Sequence, residues 1–425
     1  MSVEKKLFWY VSAVLFSLIL TPALRPLGTG PAVRLDDILL LCAPFVVAWW
    51  CRGFVSDIRL ILLSVIFLLI IFSSFWGAIH GYPAALGDLF SLFRWVKYVA
   101  VVLLVSSLLH VSKDPSFVVS KVSKISVVFG VGLAGIAFQQ YFDFLSLNSL
   151  YVYDVAPTQY RTLVDDYPWP RPVGMVGNPN ELGFVLALLG LVSIHLSLTE
   201  ESKRVLWGFA ALAILLAMSI TLSRSAVFAF FIMGLVYVWS VTLPSRGVGG
   251  RWVLKRGGII GGVSVVLCVL AVVLVGFFSP GAYESVVWRF SPEYFGSFDQ
   301  RVINWSENLT LFYESPLFGV GLLRHSGAFV HAADNEWLMM ARIGGLLVLV
   351  PFALLFLLPL FPKSVSNVRR RVWLARSISI GTIIYMIPAA AFYSLVIMPL
   401  LLILFVLYDP RPFRRFSQQA TRNFG

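Results

Sequence analysis

Clusters of polar and charged residues interrupt the apolar segments of this sequence at only a few places. They are Arg94 with Lys97, Arg171 with Asn178-Pro179-Asn180-Glu181, Ser223-Arg224-Ser225, and Asp334-Asn335-Glu336. Ionisable residues are expensive to place in a membrane, so each cluster is a candidate functional site. The arginines indicate that an anion is bound, because guanidinium groups match the geometry of phosphate oxygens.

Most of these clusters lie at predicted helix starts. The free N–H groups and aligned peptide dipoles of a helix start carry about half a positive elementary charge. Helices beginning near residues 88, 175, 225 and 335 start on the same side of the membrane if successive spans alternate in direction. Together these starts and five cations predict a site for a phosphate or pyrophosphate whose tail lies in lipid. The cations are Arg94, Lys97, Arg171, Arg224 and Arg301.

Each cluster also has a purely structural interpretation. Asn178-Pro179 is typical of an N-cap followed by proline at the first helical position. Asp334 with Glu336 matches a cap with a first-turn acid. Arg94 and Lys97 can extend along their helix to lipid headgroups. The joint placement of the clusters, rather than any one of them, favours a binding site.

The composition excludes a soluble globular enzyme. Of the 425 residues, 59% are hydrophobic and 13% are charged, against roughly 45–50% and 25% in soluble proteins. Such a chain has more apolar surface than one aqueous core can hide, so lipid must be its solvent. The three cysteines lie in or beside apolar runs, which argues against a disulfide scaffold. We predict an all-α polytopic membrane protein, with residues 1–425 forming a single integral membrane domain.

About twelve segments are candidate transmembrane helices. They lie at residues 7–24, 36–50, 58–77, 88–111, 123–142, 175–198, 204–222, 225–242, 257–278, 335–361, 373–393 and 396–408. With both termini cytoplasmic, the inner segments collect about two thirds of the 33 lysines and arginines, as the positive-inside rule requires. The net charge of +12 therefore reflects topology rather than nucleic-acid binding. The first run is interpreted as a span, since no small-residue cleavage site follows it.

Two predicted outer loops stand out, residues 143–174 and the larger 279–334 between spans nine and ten. Loops of this length are usually functional or disordered, and the second is rich in aromatic residues. It is predicted to contain an amphipathic helix that begins at Ser291-Pro292 and lies in the outer membrane interface. The apolar face of this helix consists of Val302, Trp305, Leu309 and Phe312. A P-loop, a dinucleotide fingerprint and zinc-type Cys/His spacing are absent, so no cofactor is expected.

Four stretches resemble, in order and spacing, the O-antigen polymerase/ligase family of bacterial envelope proteins. They are RPVGMVGNPNELG at 171–183, TLSRSA at 221–226, RVINWSENLTLFYESPLFGVG at 301–321 and HAADNEWLMMARIGG at 331–345. No single stretch is specific, but the series is fairly specific, and the resemblance covers about half of the chain.

The resemblance implies a glycosyltransferase of the C-type membrane fold in the bacterial cytoplasmic (inner) membrane, with its active site facing the periplasm. The donor it implies is a glycan linked to undecaprenyl pyrophosphate. A polymerase passes the glycan to another lipid-linked repeat unit of O-antigen, capsule or exopolysaccharide, whereas an O-antigen ligase passes it to lipid A core. The family's ligase pattern has a His directly before the Asn that starts the helix after the large loop. Here Asp334 precedes Asn335, with His331 one turn earlier, so polymerase is preferred and ligase is the alternative. A partner protein that regulates chain length is also implied.

The chemistry of such a transfer assigns roles to the clusters. A pyrophosphate leaving group gains charge as the sugar–oxygen bond breaks, so arginines and helix starts stabilise the transition state without requiring a metal ion. A base must take the proton of the attacking hydroxyl, and direct displacement inverts the anomeric centre. The candidate bases are His331, Asp334 and Glu336. The candidates for contact with the sugar are Asn178, Asn180, Asn335 and Trp305.

A flippase or transporter of the same lipid-linked sugars is the alternative from a different class of protein. Carriers place polar residues and discontinuous helices near the bilayer midplane. In this sequence the polar clusters fall at the outer ends of the predicted spans, which favours chemistry at the membrane surface.

Overall fold

The computed structural model describes residues 1–23, 33–51, 57–148, 163, 170–242, 296–323, 334–361, 369–389 and 394–409. These residues form α-helices and short 3₁₀ turns and contain no β-strand, which confirms the all-α prediction. Predicted span 257–278 lies outside the described residues, as do His331 and the predicted helix start at Ser291-Pro292.

The described helices follow the order of the predicted spans. They are α1 (Val3–Leu20), α2 (Leu35–Cys51), α3 (Ile58–Ile79), α4 (Leu86–Val111), α5 (Pro115–Phe142), α6 (Pro179–Thr199), α7 (Arg204–Ile220), α8 (Arg224–Thr242), α9 (Gly296–Glu314), α10 (Glu336–Leu357), α11 (Arg369–Tyr385) and α12 (Ile397–Tyr408). The 3₁₀ turns Glu201–Lys203 and Leu358–Leu360 follow α6 and α10.

Seven helical segments in this part of the chain are long and apolar enough to cross a membrane. They are Ile58–Ile79, Ser91–Val111, Pro115–Phe142, Pro179–Thr199, Glu201–Ile220, Arg224–Val241 and Glu336–Leu360. The chain therefore has the helices of a multi-pass membrane protein. Large apolar side chains on α2 and α3 point away from the protein, among them Phe45, Trp49 and Ile79 at 77%, 82% and 80% exposure. Such side chains are stable only against lipid or another apolar partner.

The start of α5 and the end of α11 differ most from the predicted boundaries. α5 begins at Pro115 instead of residue 123, because the Asp114 side chain caps it by accepting from the Phe117 backbone N–H over 3.1 Å, and Pro115 occupies the first position. α11 ends at Tyr385, short of residue 393. In both places hydropathy marks the apolar part, whereas caps and turns determine where the helix begins and ends.

The last helix, α12, is central rather than peripheral. Every residue from Ile397 to Tyr408 is buried, and α12 contacts α1, α4, α6 and α11. Twelve residues rise only about 18 Å as an α-helix, less than the roughly 30 Å of a bilayer core. α12, the most apolar of the described helices, is thus too short to span a bilayer and packs against protein on all sides.

α6 packs closely against three other helices. α6 contacts α5, α7 and α8, while α8 packs on α11 and α3 packs on α10. The two ends of α6 define the two ends of the molecule. We call them the Asn178 end, which also holds Arg224 and Asn335, and the Glu200 end, which also holds Arg370.

α10 is broken at Gly345. This residue has φ 59° and ψ −157°, a non-helical conformation that favours glycine. The backbone N–H groups of Val320 and Gly321 donate to the carbonyl oxygens of Arg342 and Ile343 at 2.9 and 3.0 Å. The segment 315–323 thus enters the bundle beside the break and satisfies backbone groups that the helix leaves open.

α9 faces the protein with polar residues and the surroundings with apolar ones. Asn304 and Asn308 are buried, whereas Val302, Ile303 and Tyr313 are 45%, 49% and 68% exposed. This is the reverse of a helix on a water-soluble protein, and it is the pattern expected for a helix whose outer face contacts lipid. The predicted helix in the large loop is present; its placement at a membrane interface stays a prediction.

Candidate functional site

The loop before α6 is held by two side chains from other parts of the chain, one in α5 and one just before α2. Gln140 of α5 accepts from the Val173 and Gly174 backbone N–H groups at 3.0 and 2.7 Å, and its own amide donates to the Gly174 carbonyl oxygen. Arg34 donates to the Met175 carbonyl oxygen at 2.9 Å. These bonds fix the path of the chain from Arg171 to Asn178.

Arg171 links this loop to the starts of two helices. Its Nε donates to the Thr221 carbonyl oxygen at 3.1 Å, in the turn before α8, and Nη2 donates to Asn180 Oδ1 at 3.2 Å, in the first turn of α6. The residue is 8% exposed. Arg224, the first residue of α8, lies three positions after Thr221 and is exposed. The structure therefore brings Arg171 and Arg224 to the same helix starts.

The start of α6 has the predicted cap. The Asn178 side chain accepts from the backbone N–H groups of Asn180 and Glu181 at 2.8 and 3.4 Å, and Pro179 occupies the first helical position. The Glu181 carboxylate accepts from the Ser394 hydroxyl, in the segment before α12. Asn178 is thus a structural cap and remains exposed, while Glu181 is half-buried.

The end of α11 connects the starts of α6 and α10. The buried Tyr385 hydroxyl donates to the Asn180 carbonyl oxygen at 3.0 Å, and its ring stacks on Phe184 with centroids 3.9 Å apart. The next residue, Met386, accepts from the Glu336 backbone N–H at 3.0 Å. Because α11 runs antiparallel to both helices, its last turn meets their first turns.

The start of α10 holds the acidic cluster. Asn335 caps the helix by accepting from the Leu338 backbone N–H at 3.1 Å. The Arg301 Nε lies 3.5 Å from a carboxylate oxygen of Asp334, and both side chains are partly exposed. Glu336 is fully buried. Arg301 of α9 thus reaches the start of α10, which Met386 links to the end of α11.

Lys97 lies in a buried network of ion pairs. Its Nζ contacts carboxylate oxygens of Asp36 and of Asp37, the latter at 2.8 Å, and donates to the Leu395 carbonyl oxygen at 3.1 Å. Arg34 pairs with Asp36 at 3.0 Å. Two carboxylates thus match the charges of Lys97 and Arg34. Since Leu395 follows Ser394, this network adjoins the Glu181 contact.

The structure therefore gathers most of the predicted site residues at the Asn178 end. Those grouped there by the contacts above are Arg171, Arg224, Arg301, Asn178, Asn180, Asp334, Asn335 and Glu336. Arg94 is half-buried one turn before Lys97 on α4, and Trp305 is half-buried one turn after Arg301 on α9. His331 lies outside the described residues.

Several residues of this region carry no strong signal in the sequence. Gln140 and Tyr385 lie within apolar helices, and Ser394 lies in a short connection. Asp36 and Asp37 were visible as acids at the start of an apolar segment, but their partner is distant in the sequence. Such residues can be found in a sequence as isolated polar residues inside apolar runs, because a polar side chain that is buried requires a hydrogen-bonding partner.

No metal cluster accompanies these groups in the part of the chain that the structure describes, where no three His, Cys, Asp or Glu side chains are close enough to hold an ion.

Comparisons with known proteins assign no family: no family model matches the sequence, and no curated protein matches it significantly. The resemblance to O-antigen polymerases and ligases therefore rests on the motifs alone.

Proposed function

We propose that this protein is a membrane glycosyltransferase that polymerises oligosaccharide repeat units linked to undecaprenyl pyrophosphate. The observation that carries the proposal is the meeting of three helix starts and three arginines at the Asn178 end. Arg171 contacts the starts of α6 and α8, and Arg301 contacts the start of α10. Helix starts and guanidinium groups together favour a diphosphate.

The reaction follows from this electrostatic arrangement. When the bond between the anomeric carbon and the pyrophosphate oxygen breaks, the leaving group gains negative charge. Donors that are fixed before the reaction stabilise that charge most, and loss of one typically lowers the rate about 10²–10³-fold. Arg171 meets this requirement because hydrogen bonds to two helices hold it in place. Arg224 and Arg301 are the more exposed cations of this end, and Arg301 also pairs with Asp334.

The site would face the periplasm of a bacterial inner-membrane protein. The Glu200 end carries the lysines and arginines of the predicted cytoplasmic segments, including Lys203, Arg204, Arg370 and Arg371. By the positive-inside rule the Asn178 end is then the outer one. Donor and acceptor glycans on undecaprenyl pyrophosphate reach that face from the membrane, and a chain-length regulator would contact the same side.

Purified protein mixed with lipid-linked repeat units tests the proposal. We expect longer glycans with an inverted anomeric linkage and free undecaprenyl pyrophosphate, without added nucleotide or metal. Unchanged repeat units with no released undecaprenyl pyrophosphate would contradict it. A deletion strain separates polymerase from ligase, because loss of a polymerase leaves single lipid-linked repeats whereas loss of a ligase leaves long lipid-linked chains.

The break in α10 supports a carrier of lipid-linked sugars as the second candidate. Gly345 lies nine residues after Glu336, about 14 Å along an α-helix, and transporters place such discontinuous helices near the midplane. Movement of labelled lipid-linked repeat units across proteoliposomes, with no new glycosidic bond, would favour the carrier.

A further inference from the structure

Glu181 occupies a fixed place among the charged groups of the Asn178 end. It lies in the first turn of α6, and the Asn178 cap accepts its backbone N–H at 3.4 Å. The Ser394 hydroxyl donates to Glu181 Oε2. Glu181 is half-buried, whereas Glu336 of the same region is fully buried.

The surroundings of Glu181 include Arg171, one of the cations proposed to hold the leaving group. The Tyr385 hydroxyl donates to the carbonyl oxygen of Asn180, the residue before Glu181. The side chain of Asn180 accepts from Arg171. Glu181 directly follows the residue that Arg171 contacts, so its carboxylate lies in the same turn of α6 as that contact.

The other described carboxylates fit the role of a base less well. Glu336 is fully buried beneath the start of α10, so a sugar hydroxyl cannot reach it without movement of that helix. Asp334 is accessible, but its carboxylate faces Arg301 at 3.5 Å, and protonating it would weaken that ion pair. A general base must lie within hydrogen-bond reach of the proton that it accepts.

We propose, on the basis of the function proposed above, that Glu181 is the general base of the transfer and that Ser394 is a positioning residue that orients it. The hydroxyl oxygen of the acceptor sugar forms the new bond to the anomeric carbon of the donor. The bond between that carbon and the pyrophosphate oxygen breaks, and its electron pair stays on the pyrophosphate. The hydroxyl proton passes to the Glu181 carboxylate and from there to water.

A matched pair of substitutions on one helix tests this role. Glu181→Gln removes the carboxylate at the start of α6. Glu200→Gln makes the same change at the C-cap of α6, where Glu200 likewise accepts from a serine, Ser120, at 3.0 Å. Burial raises the pKa of Glu200, but hydrogen bonds from Lys124, Ser120 and Trp207 outweigh it, so the pKa lies below its ordinary value. The control substitution therefore also replaces a carboxylate.

We expect Glu181→Gln to lower kcat about 10²–10⁴-fold, with KM for the lipid-linked donor within about twofold of the unsubstituted protein. The residual kcat of Glu181→Gln should no longer fall at low pH, because the carboxylate whose protonation causes that fall (the acid limb of the pH profile) is absent. Glu200→Gln should keep the full kcat. Ser394→Ala should lower kcat less than Glu181→Gln, because the carboxylate remains. Donor binding to each variant is measured separately by thermophoresis.

The outcomes separate this inference from the proposed function. Product formation by the unsubstituted protein together with an unchanged kcat in Glu181→Gln overturns the role of Glu181 and leaves the glycosyltransferase standing. No product from the unsubstituted protein overturns both. If Glu181→Gln fails to fold, Glu181→Asp tests the role of Glu181 instead. A folded Glu181→Asp variant with a partial kcat and a retained acid limb supports the role of general base. A folded variant with full kcat contradicts that role.

Discussion

The Arg171 guanidinium donates to the Thr221 carbonyl oxygen over 3.1 Å, and this single contact ties the loop before α6 to the turn before α8. The same guanidinium reaches Asn180 on α6. Two chain segments that are far apart in the sequence thus share one cation. The contact converts separate helix starts into a common electrostatic environment.

Arg171→Lys tests whether this double contact matters. A lysine can contact one partner but cannot reproduce the planar fork of a guanidinium. We expect the variant to melt at a lower temperature, because an unsatisfied buried polar group costs about 1–3 kcal/mol, and to form glycan more slowly. Arg370→Lys is the matched control at the Glu200 end, where Arg370 donates to the Leu198 carbonyl oxygen at 2.9 Å from an exposed position. Equal melting temperatures for Arg171→Lys and the unsubstituted protein would contradict the structural role.

Arg224→Ala and Arg301→Ala separate binding of the anion from folding. Both side chains are partly or fully exposed, and exposed ion pairs contribute only about 0–1 kcal/mol. We expect each variant to insert and melt like the unsubstituted protein while its product formation falls about 10²–10³-fold. The control is Lys203→Ala, an exposed cation at the other end of the molecule. Full activity in both arginine variants would contradict the proposal that these residues bind the diphosphate.

Lys97→Met should destabilise the protein strongly. It leaves the fully buried Asp36 and the partly exposed Asp37 with less compensating charge, and removing one partner of a buried ion pair typically costs about 3–5 kcal/mol. The double variant Lys97→Met/Asp37→Asn should recover part of the loss, since one negative charge is removed as well. Thermal unfolding in detergent measures both. If the double variant is no more stable than Lys97→Met, the coupling between Lys97 and Asp37 is absent.

Gly183→Ala should separate α6 from the start of α8. A Cβ at Gly183 would lie 2.8 Å from Thr221 Oγ1 and 3.0 Å from the Cβ atoms of Ser223 and Ala226. Overpacking of this kind typically costs about 1–3 kcal/mol, and the displaced turn would also move Arg224. Gly135→Ala is the control, because nothing lies within 4 Å of its added Cβ. We expect a lower melting temperature and less product only for Gly183→Ala.

Gly319→Ala tests the insertion of segment 315–323 beside the break in α10. Gly319 has φ +71°, and an added Cβ would lie 2.5 Å from backbone atoms of Ile343 and Gly344. Gly81→Ala has the same kind of backbone strain, at φ +91°, but its added Cβ meets nothing within 4 Å. Backbone strain alone costs of order 1–3 kcal/mol. If Gly319→Ala loses more stability than Gly81→Ala, the difference measures the close packing of Gly319 against α10. Equal losses in the two variants would indicate that the packing is loose.

The amino-acid sequence by itself determined the class of protein and most helix starts. Apolar content and run length are local properties, and no arrangement in water can hide so much apolar surface. The N-caps are equally local: Asn178 before Pro179 caps α6 as predicted, whereas α10 is capped by Asn335, one residue after the predicted Asp334. Charged residues at helix starts can therefore be recognised as a set from the sequence alone.

Only the tertiary structure decided which of these residues meet and which are matched by other charges. Lys97 and Asp37 are distant in the sequence and pair only because α2 packs on α4. Gly344-Gly345 reads as part of a continuous apolar helix, yet the helix breaks there because segment 315–323 supplies backbone partners. Hydropathy sums over neighbouring residues along the chain. Ion pairs, close packing and the satisfaction of backbone groups depend on residues brought together from distant segments, and so they appear only in the folded protein.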